Sequence, residues 1–153
     1  MIRLTDKELP KSAFINVKSP RYRADSILKI LKRSKPDSIG IVLGLISKDI
    51  STTKKDLWGN VKKPAYKYED WGVFGLEYRP GPSCIISNYR IKNANKNLYL
   101  ERLRKVCIHE IGHNLGLKHC THSEKCVMKD AAETIKTADQ ADLKLCDHCR
   151  ANI

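Results

Sequence analysis

The sequence predicts a compact single domain of the α/β (α+β) class, with a small mixed, twisted β-sheet and one long helix. Three observations lead there. The chain has 153 residues, the size of one ordinary domain with room for a real core. Short apolar runs bounded by turn residues, 39–46 (IGIVLGLI) and 84–88 (CIISN), have strand character. Residues 95–115 place Leu100, Leu103, Cys107, Ile111 and Leu115 at three- and four-residue spacing, a helical period. No internal repeat or flexible linker divides the chain, so residues 1–153 read as one domain.

Taken in order, residues 13–17 are a short strand candidate. Ser19-Pro20 then offers an N-cap and a first-turn proline. The helix that follows has Ala24, Ile27, Leu28 and Leu31 on one face and ends near Ser34, before Lys35-Pro36. Residues 39–46 are apolar and rich in β-branched side chains, which suits a buried central strand. Residues 47–70 are polar and lysine-rich, an irregular surface loop. Residues 72–78 (GVFGLEY) and 84–88 read as strands joined through Arg79-Pro80-Gly81-Pro82. The stripe on the long helix is expected to face the core.

The formal charge is +12, unevenly spread. Residues 1–105 hold 23 Lys and Arg against 10 Asp and Glu, whereas residues 106–153 hold 6 against 7. Such an excess suits a solvated basic face, or attraction to nucleic acid, acidic lipid or acidic peptides. The longest apolar stretch, 39–46, is far too short to span a membrane. The opening residues, MIRLTDKELPK, have no apolar run behind their charges, so no secretory signal is expected there. With six cysteines and no such signal, a reducing, cytoplasmic setting is expected, where closely spaced cysteines suggest metal before disulfide.

The chemistry concentrates in HEIGHNLGLKHC, residues 109–120. His109 and His113 lie four residues apart, a turn of about 400° and a rise of about 6 Å, so both imidazoles leave the same helix face. Two nitrogens so placed can reach one zinc ion at about 2.0–2.1 Å. Glu110 lies between their directions, better placed to act on water at the metal than to be a ligand. Gly116, at the helix end, permits the sharp turn that returns His119 to the same site. Three protein ligands leave one position open, the mark of a catalytic rather than a structural zinc. The plain alternative is a set of helix histidines satisfied by hydrogen bonds.

Cys120, Cys126, Cys146 and Cys149 form two pairs, the second being CDHC. Four thiolates about 2.3 Å from a zinc ion close its tetrahedron, so this site would be structural. It would tie the segment after the long helix to the C-terminus, within a C-terminal subdomain of about 117–153 that follows an N-terminal one of about 1–116. The later segment is too short and polar to hold itself together by burial alone. A CxxC redox pair and disulfides remain as alternatives. Cys84 and Cys107 fit neither pair and read as ordinary buried cysteines.

The pattern HExxHxxGxxH followed by a methionine resembles the metzincin zinc metalloproteases. The longer run is HExxHxxGxxHC, Cys126-Val127-Met128, residues 129–145, then Cys146-Asp147-His148-Cys149, and it resembles the archaemetzincins in particular. GVFGLEY and CIISNYR fit that family more loosely. One departure is visible: five residues separate Cys120 from Cys126, where four are expected. The resemblance implies a metzincin-like fold and two zinc ions per chain, one catalytic and one structural. It also implies a Met-turn at Met128, which alone would read as a core methionine, and a substrate extended along the edge strand at 72–78.

The expected activity is zinc-dependent hydrolysis of a peptide or protein substrate, with Glu110 as general base. A basic chain favours acidic peptides mildly, and no membrane partner is expected. The competing reading is a catalytically silent, zinc-stabilised basic module that binds nucleic acid or an acidic partner.

Overall fold

The computed structural model describes residues 1–130 and 134–153. A 3₁₀ turn at Lys11–Ala13 leads into strand β1 (Phe14–Asn16), which turns back as β2 (Pro20–Arg23) and continues into helix α1 (Ala24–Arg33). There follow β3 (Val42–Ile46), β4 (Ile50–Thr52), the short helix α2 (Ala65–Tyr68), β5 (Trp71–Val73), β6 (Gly75–Glu77) and β7 (Ser83–Ser87). The long helix α3 (Lys96–Asn114) comes next, then α4 (Ile135–Gln140) and α5 (Asp147–Arg150). Among the described residues, no helix is long and apolar enough to cross a membrane.

The strands form two small mixed sheets where one was expected. The first has the order β1-β2-β4-β5, with β2 parallel to β4 and the other pairs antiparallel. The second has the order β3-β7-β6, with β3 parallel and β6 antiparallel to β7. Residues 72–78, expected as one strand, divide at Phe74: Val73 pairs with Ile50 in the first sheet, Gly75 with Ile86 in the second. The Phe74 carbonyl still accepts from Ser87 N at 2.8 Å. Such a division depends on long-range pairing and leaves no mark in a seven-residue pattern.

Three further expectations need correcting. β3 is an edge strand with Leu45 56% exposed, and the central strand is β7, buried at every residue. Two serines disguise β7, but their hydroxyls are satisfied, Ser87 Oγ by Lys48 O at 2.6 Å and Ser83 Oγ by Leu28 O at 3.4 Å. Pro20 opens a strand instead of a helix, a place where its missing N–H is tolerated. The presumed loop at 47–70 contains β4, too short to show a period, buried because β2 and β5 pair on either side.

The helices sandwich the second sheet. α1 buries Ala24, Ile27 and Leu28 against Ile46, Ile50 and Ile85, the face read from the sequence. The next residue of β7, Ile86, points the other way and packs with Ile91 and with Val106 of α3. Each such aliphatic side chain contributes about 1.5–3 kcal/mol on burial.

α3 begins at the Asn95 cap, whose side chain accepts from Asn97 N and Leu98 N at 3.0 and 3.2 Å. Its expected stripe meets the core only in part: Leu103 and Cys107 pack on the Ile86 cluster but, like Leu100 and Ile111, are only half-buried, and Leu115 is exposed. The buried residues are Arg102, Lys105, Val106, Glu110, Gly112, His113 and Asn114. Arg102 and Lys105 can be buried there because each is paired. Arg102 holds Asp139 of α4 through two bonds of 2.7 and 2.6 Å, and Lys105 meets Glu101 at 2.6 Å.

Candidate metal centre

The end of α3 builds the first cluster. Gly116, at φ 101°, lets the chain leave the helix in a Schellman turn. Gly116 N donates to His113 O at 2.9 Å and Leu117 N to Gly112 O at 3.0 Å. The turn brings Leu117 O within 2.7 Å of His113 Nδ1. His109 Nδ1 is likewise 2.9 Å from Val127 O. A carbonyl only accepts, so each Nδ1 carries the ring proton and each Nε2 presents a bare lone pair.

Those two Nε2 atoms face each other at 3.0 Å. Two lone pairs so close repel unless a cation lies between them. Nitrogens about 2.0–2.1 Å from one tetrahedral zinc sit about 3.3 Å apart, so the separation fits. The His119 ring completes the cluster, 5.4 and 4.9 Å by centroid from those of His109 and His113, and the three ligand atoms lie within 4.8 Å of one another. His119 Nδ1 lies 3.6 Å from Asp130 Oδ2, a carboxylate that sequence reading missed. Burial keeps all three imidazoles below their ordinary pKa, His113 down to about 4, which favours the ligating neutral form.

Cys120, Cys126, Cys146 and Cys149 converge separately, also within 4.8 Å, and none is in a disulfide. Cys120 and Cys146 sulfurs are 3.6 Å apart, close to the roughly 3.8 Å that a shared tetrahedral zinc at about 2.3 Å would impose. The amide of Cys149 draws the Cys146 thiol down to about 7, while burial pushes Cys149 up. In the five-residue loop between Cys120 and Cys126, Cys126 N turns back on Ser123 O at 3.3 Å. Cys84 is fully buried as expected, but Cys107 is only half-buried. Three residues of the 129–145 spacer, 131–133, lie outside the described residues.

One short segment touches both clusters. Cys126 supplies a thiol, Val127 O receives His109, and Met128, fully buried, accepts from Cys120 N at 2.9 Å. The Met128 sulfur lies against Gly112: a Cβ there would sit 2.5 Å from it. His119 and Cys120, adjacent in sequence, go to different clusters.

Glu110 is buried on the same helix, and its Oε2 has no hydrogen-bond partner among the described residues. Its carboxyl packs on Gly75 of β6, where an added Cβ would stand 2.6 Å from Glu110 Cδ. Burial, and then the neighbouring Glu77 carboxylate, hold Glu110 well above the usual carboxylate range. Asn114, another residue missed from sequence, donates to Tyr78 O and Ser83 O at 2.9 Å each, pinning the turn between β6 and β7 to the helix end. Between this helix face and residues 71–77 lies a cleft of about 750 Å³, lined also by His109, His113 and His119.

A buried carboxyl whose Oε2 has no hydrogen-bond partner among the described residues lines one open cleft with three converging imidazoles, the arrangement of a metal-dependent hydrolase. The sequence profile of peptidase family M54 matches residues 3–153. The chain belongs to that family. An archaemetzincin of Haloarcula marismortui is 30% identical over 142 residues, 87% of this chain and 71% of its own. The crystal structure of archaemetzincin from Archaeoglobus fulgidus, complexed with malonate, is similar at TM-score 0.74 and 29% identity, covering 98% of this chain and 80% of that one. Archaemetzincin from Methanopyrus kandleri gives TM-score 0.75 at 29% identity, covering 95% and 72%. As an M54 peptidase the chain is a zinc metallopeptidase, and the mixed α/β architecture is that of the archaemetzincins.

Proposed function

We propose that the chain hydrolyses peptide bonds in this cleft, with a catalytic zinc on His109, His113 and His119 and Glu110 as general base. The observation that carries the reading is Glu110 Oε2, a buried carboxyl oxygen without a hydrogen-bond partner among the described residues, lining the same cleft as the three histidines. A zinc ion bound there would lower the pKa of water and polarise a carbonyl.

The chain's own residues do the rest. Glu110 takes a proton from the attacking water at Oε2 and passes it to the departing amine nitrogen. Gly75 leaves room for that carboxyl, and Glu77 beside it raises its proton affinity. Val127 O and Leu117 O hold the imidazoles of His109 and His113 in the tautomer that ligates through Nε2. The substrate lies extended along residues 71–77, where β5 and β6 each end a sheet and can accept an added strand. Cys120, Cys126, Cys146 and Cys149 hold a second, structural zinc that fastens the subdomain at about 117–153, and Met128 is the Met-turn. The whole of 1–153 works as one catalytic domain.

Glu110→Gln tests the role. It should keep both zinc ions by elemental analysis yet lose at least about a hundredfold in kcat on a peptide library. Hydrolysis at the wild-type rate would remove Glu110 from it.

A further inference from the structure

The cations that line the cleft fall into two groups. Arg90 is held by Asp49 through bonds of 2.6 and 2.8 Å, Lys105 by Glu101 at 2.6 Å and Lys129 by Glu124 at 2.5 Å. Lys54, Lys55, Lys62 and Arg79 line it too, but have no acidic partner among the described residues. Three of these four sit on one hairpin, residues 54–62.

That hairpin is shaped by its own hydrogen bonds. Lys55 bridges to Val61, Lys62 N donates to Lys54 O at 3.0 Å, and Asp56 N to Asn60 O at 2.9 Å. At the tip Asp56 Oδ1 accepts from Trp58 N and Asn60 N at 3.0 and 2.9 Å, and Gly59 takes a φ of 85° that other residues avoid. The outcome is an ordered tip that leaves Leu57 98% and Trp58 84% exposed. At the base Lys54 Nζ lies 4.2 Å from the ring centroid of Trp71, which is itself stacked on Tyr68. The ring holds that ammonium at the cleft wall.

We propose that the 54–62 hairpin and Arg79 form a carboxylate-binding wall, so that the cleft takes extended peptides bearing Asp or Glu beside the bond to be cut. The proposal rests on the peptidase reading of the site. A nucleic acid fits less well, because Glu77 and Asp130 line the same cleft and would repel a continuous phosphate backbone. A peptide can place its few carboxylates at the wall alone. The sheet edges at β5 and β6, each paired on one side only among the described residues, also suit a peptide backbone.

The test uses two labelled peptides of one sequence, one with Glu flanking the scissile position and the other with Gln there. Zinc-loaded Glu110→Gln protein holds either peptide uncut, so anisotropy reads binding alone. At low salt the Glu peptide should bind about tenfold more tightly, the combined effect of two or three partly exposed charge pairs. The advantage should shrink as salt is raised and vanish in the added double substitution Lys55→Glu/Lys62→Glu. Lys55→Gln/Lys62→Gln should reduce it partly, and serves if charge reversal impairs folding. Equal binding of the two peptides overturns the proposal, as does an advantage that survives both double substitutions. Tighter binding of a single-stranded oligonucleotide than of the Glu peptide overturns it in favour of a nucleic-acid surface. Hydrolysis by the zinc-loaded wild-type chain is read separately. If neither peptide is cut but the Glu preference in binding stands, the hydrolytic reading fails and the wall remains. If both are cut and bind equally, the wall fails and the hydrolytic reading stands.

Discussion

His109 Nδ1 lies 2.9 Å from the carbonyl oxygen of Val127, whose chain neighbours are Cys126 of the thiol cluster and the buried Met128. One peptide step therefore separates the group that orients a candidate catalytic ligand from a candidate ligand of the other site. Val127 N is itself fixed, donating to Lys144 O at 3.0 Å just ahead of Cys146. The Cys146 amide in turn donates to the Cys126 sulfur at 3.3 Å. The thiol cluster thus sets the backbone on which the His109 ring is hung.

Gly75→Ala should separate catalysis from metal binding. The new Cβ would occupy space now filled by the Glu110 carboxyl, in a strand whose partner β7 is buried and unyielding. Overpacking of this kind costs about 1–3 kcal/mol in stability. Beyond that, kcat on a peptide substrate should fall at least about tenfold, while zinc content stays at the wild-type level. Full activity in a folded Gly75→Ala protein would show that the Glu110 position is not critical.

Asn114→Ala should act through stability. It removes the donors to Tyr78 O and Ser83 O in a buried setting, and leaving such groups unpaired costs about 1–3 kcal/mol. The urea midpoint measures this, and an unchanged midpoint would mean that water or a shifted turn replaces both bonds.

Acid should weaken the metal-free fold through His113, whose pKa burial lowers from 6.5 to about 4. Between those values the unfolded chain binds a proton that the folded chain refuses. The His113 contribution is thus fully present above about pH 6.5 and is lost as pH falls toward 4. Glu110, raised by burial, works in the opposite sense from 4.5 upward. The comparison that isolates His113 is therefore the pH dependence of urea unfolding in wild type and in His113→Asn, both freed of metal. The variant should show a shallower loss on acidification; parallel curves would contradict the assignment.

The parts of this molecule that were legible in the sequence are those whose chemistry is local. HEIGHN places two imidazoles on one helix face, Gly116 supplies the turn, and the two cysteine pairs converge at the spacing their chemistry needs. The apolar face of α1 was legible for the same reason. What was not legible depends on partners far along the chain. The ring protons of His109 and His113 go to main-chain carbonyls, which have no residue signature. The buried face of α3 includes Arg102, tolerated only because Asp139 returns to it 37 residues later. Division of 72–78 between two sheets follows from pairing with β4 and β7, and neither partner is visible in GVFGLEY.

The central claim is that one backbone segment couples the two clusters, so that the thiol site supports metal at the histidines. Zinc affinity of the histidine site, measured by chelator competition in wild type and Cys149→Ser, tests it most directly. Cys149 is the last cysteine of the thiol cluster in the chain and is not a member of the histidine cluster. The substitution should nevertheless weaken histidine-site affinity about 10- to 100-fold, the range for loss of an outer support of metal ligands. Unchanged affinity in a folded Cys149→Ser protein would contradict the coupling and leave the two sites independent.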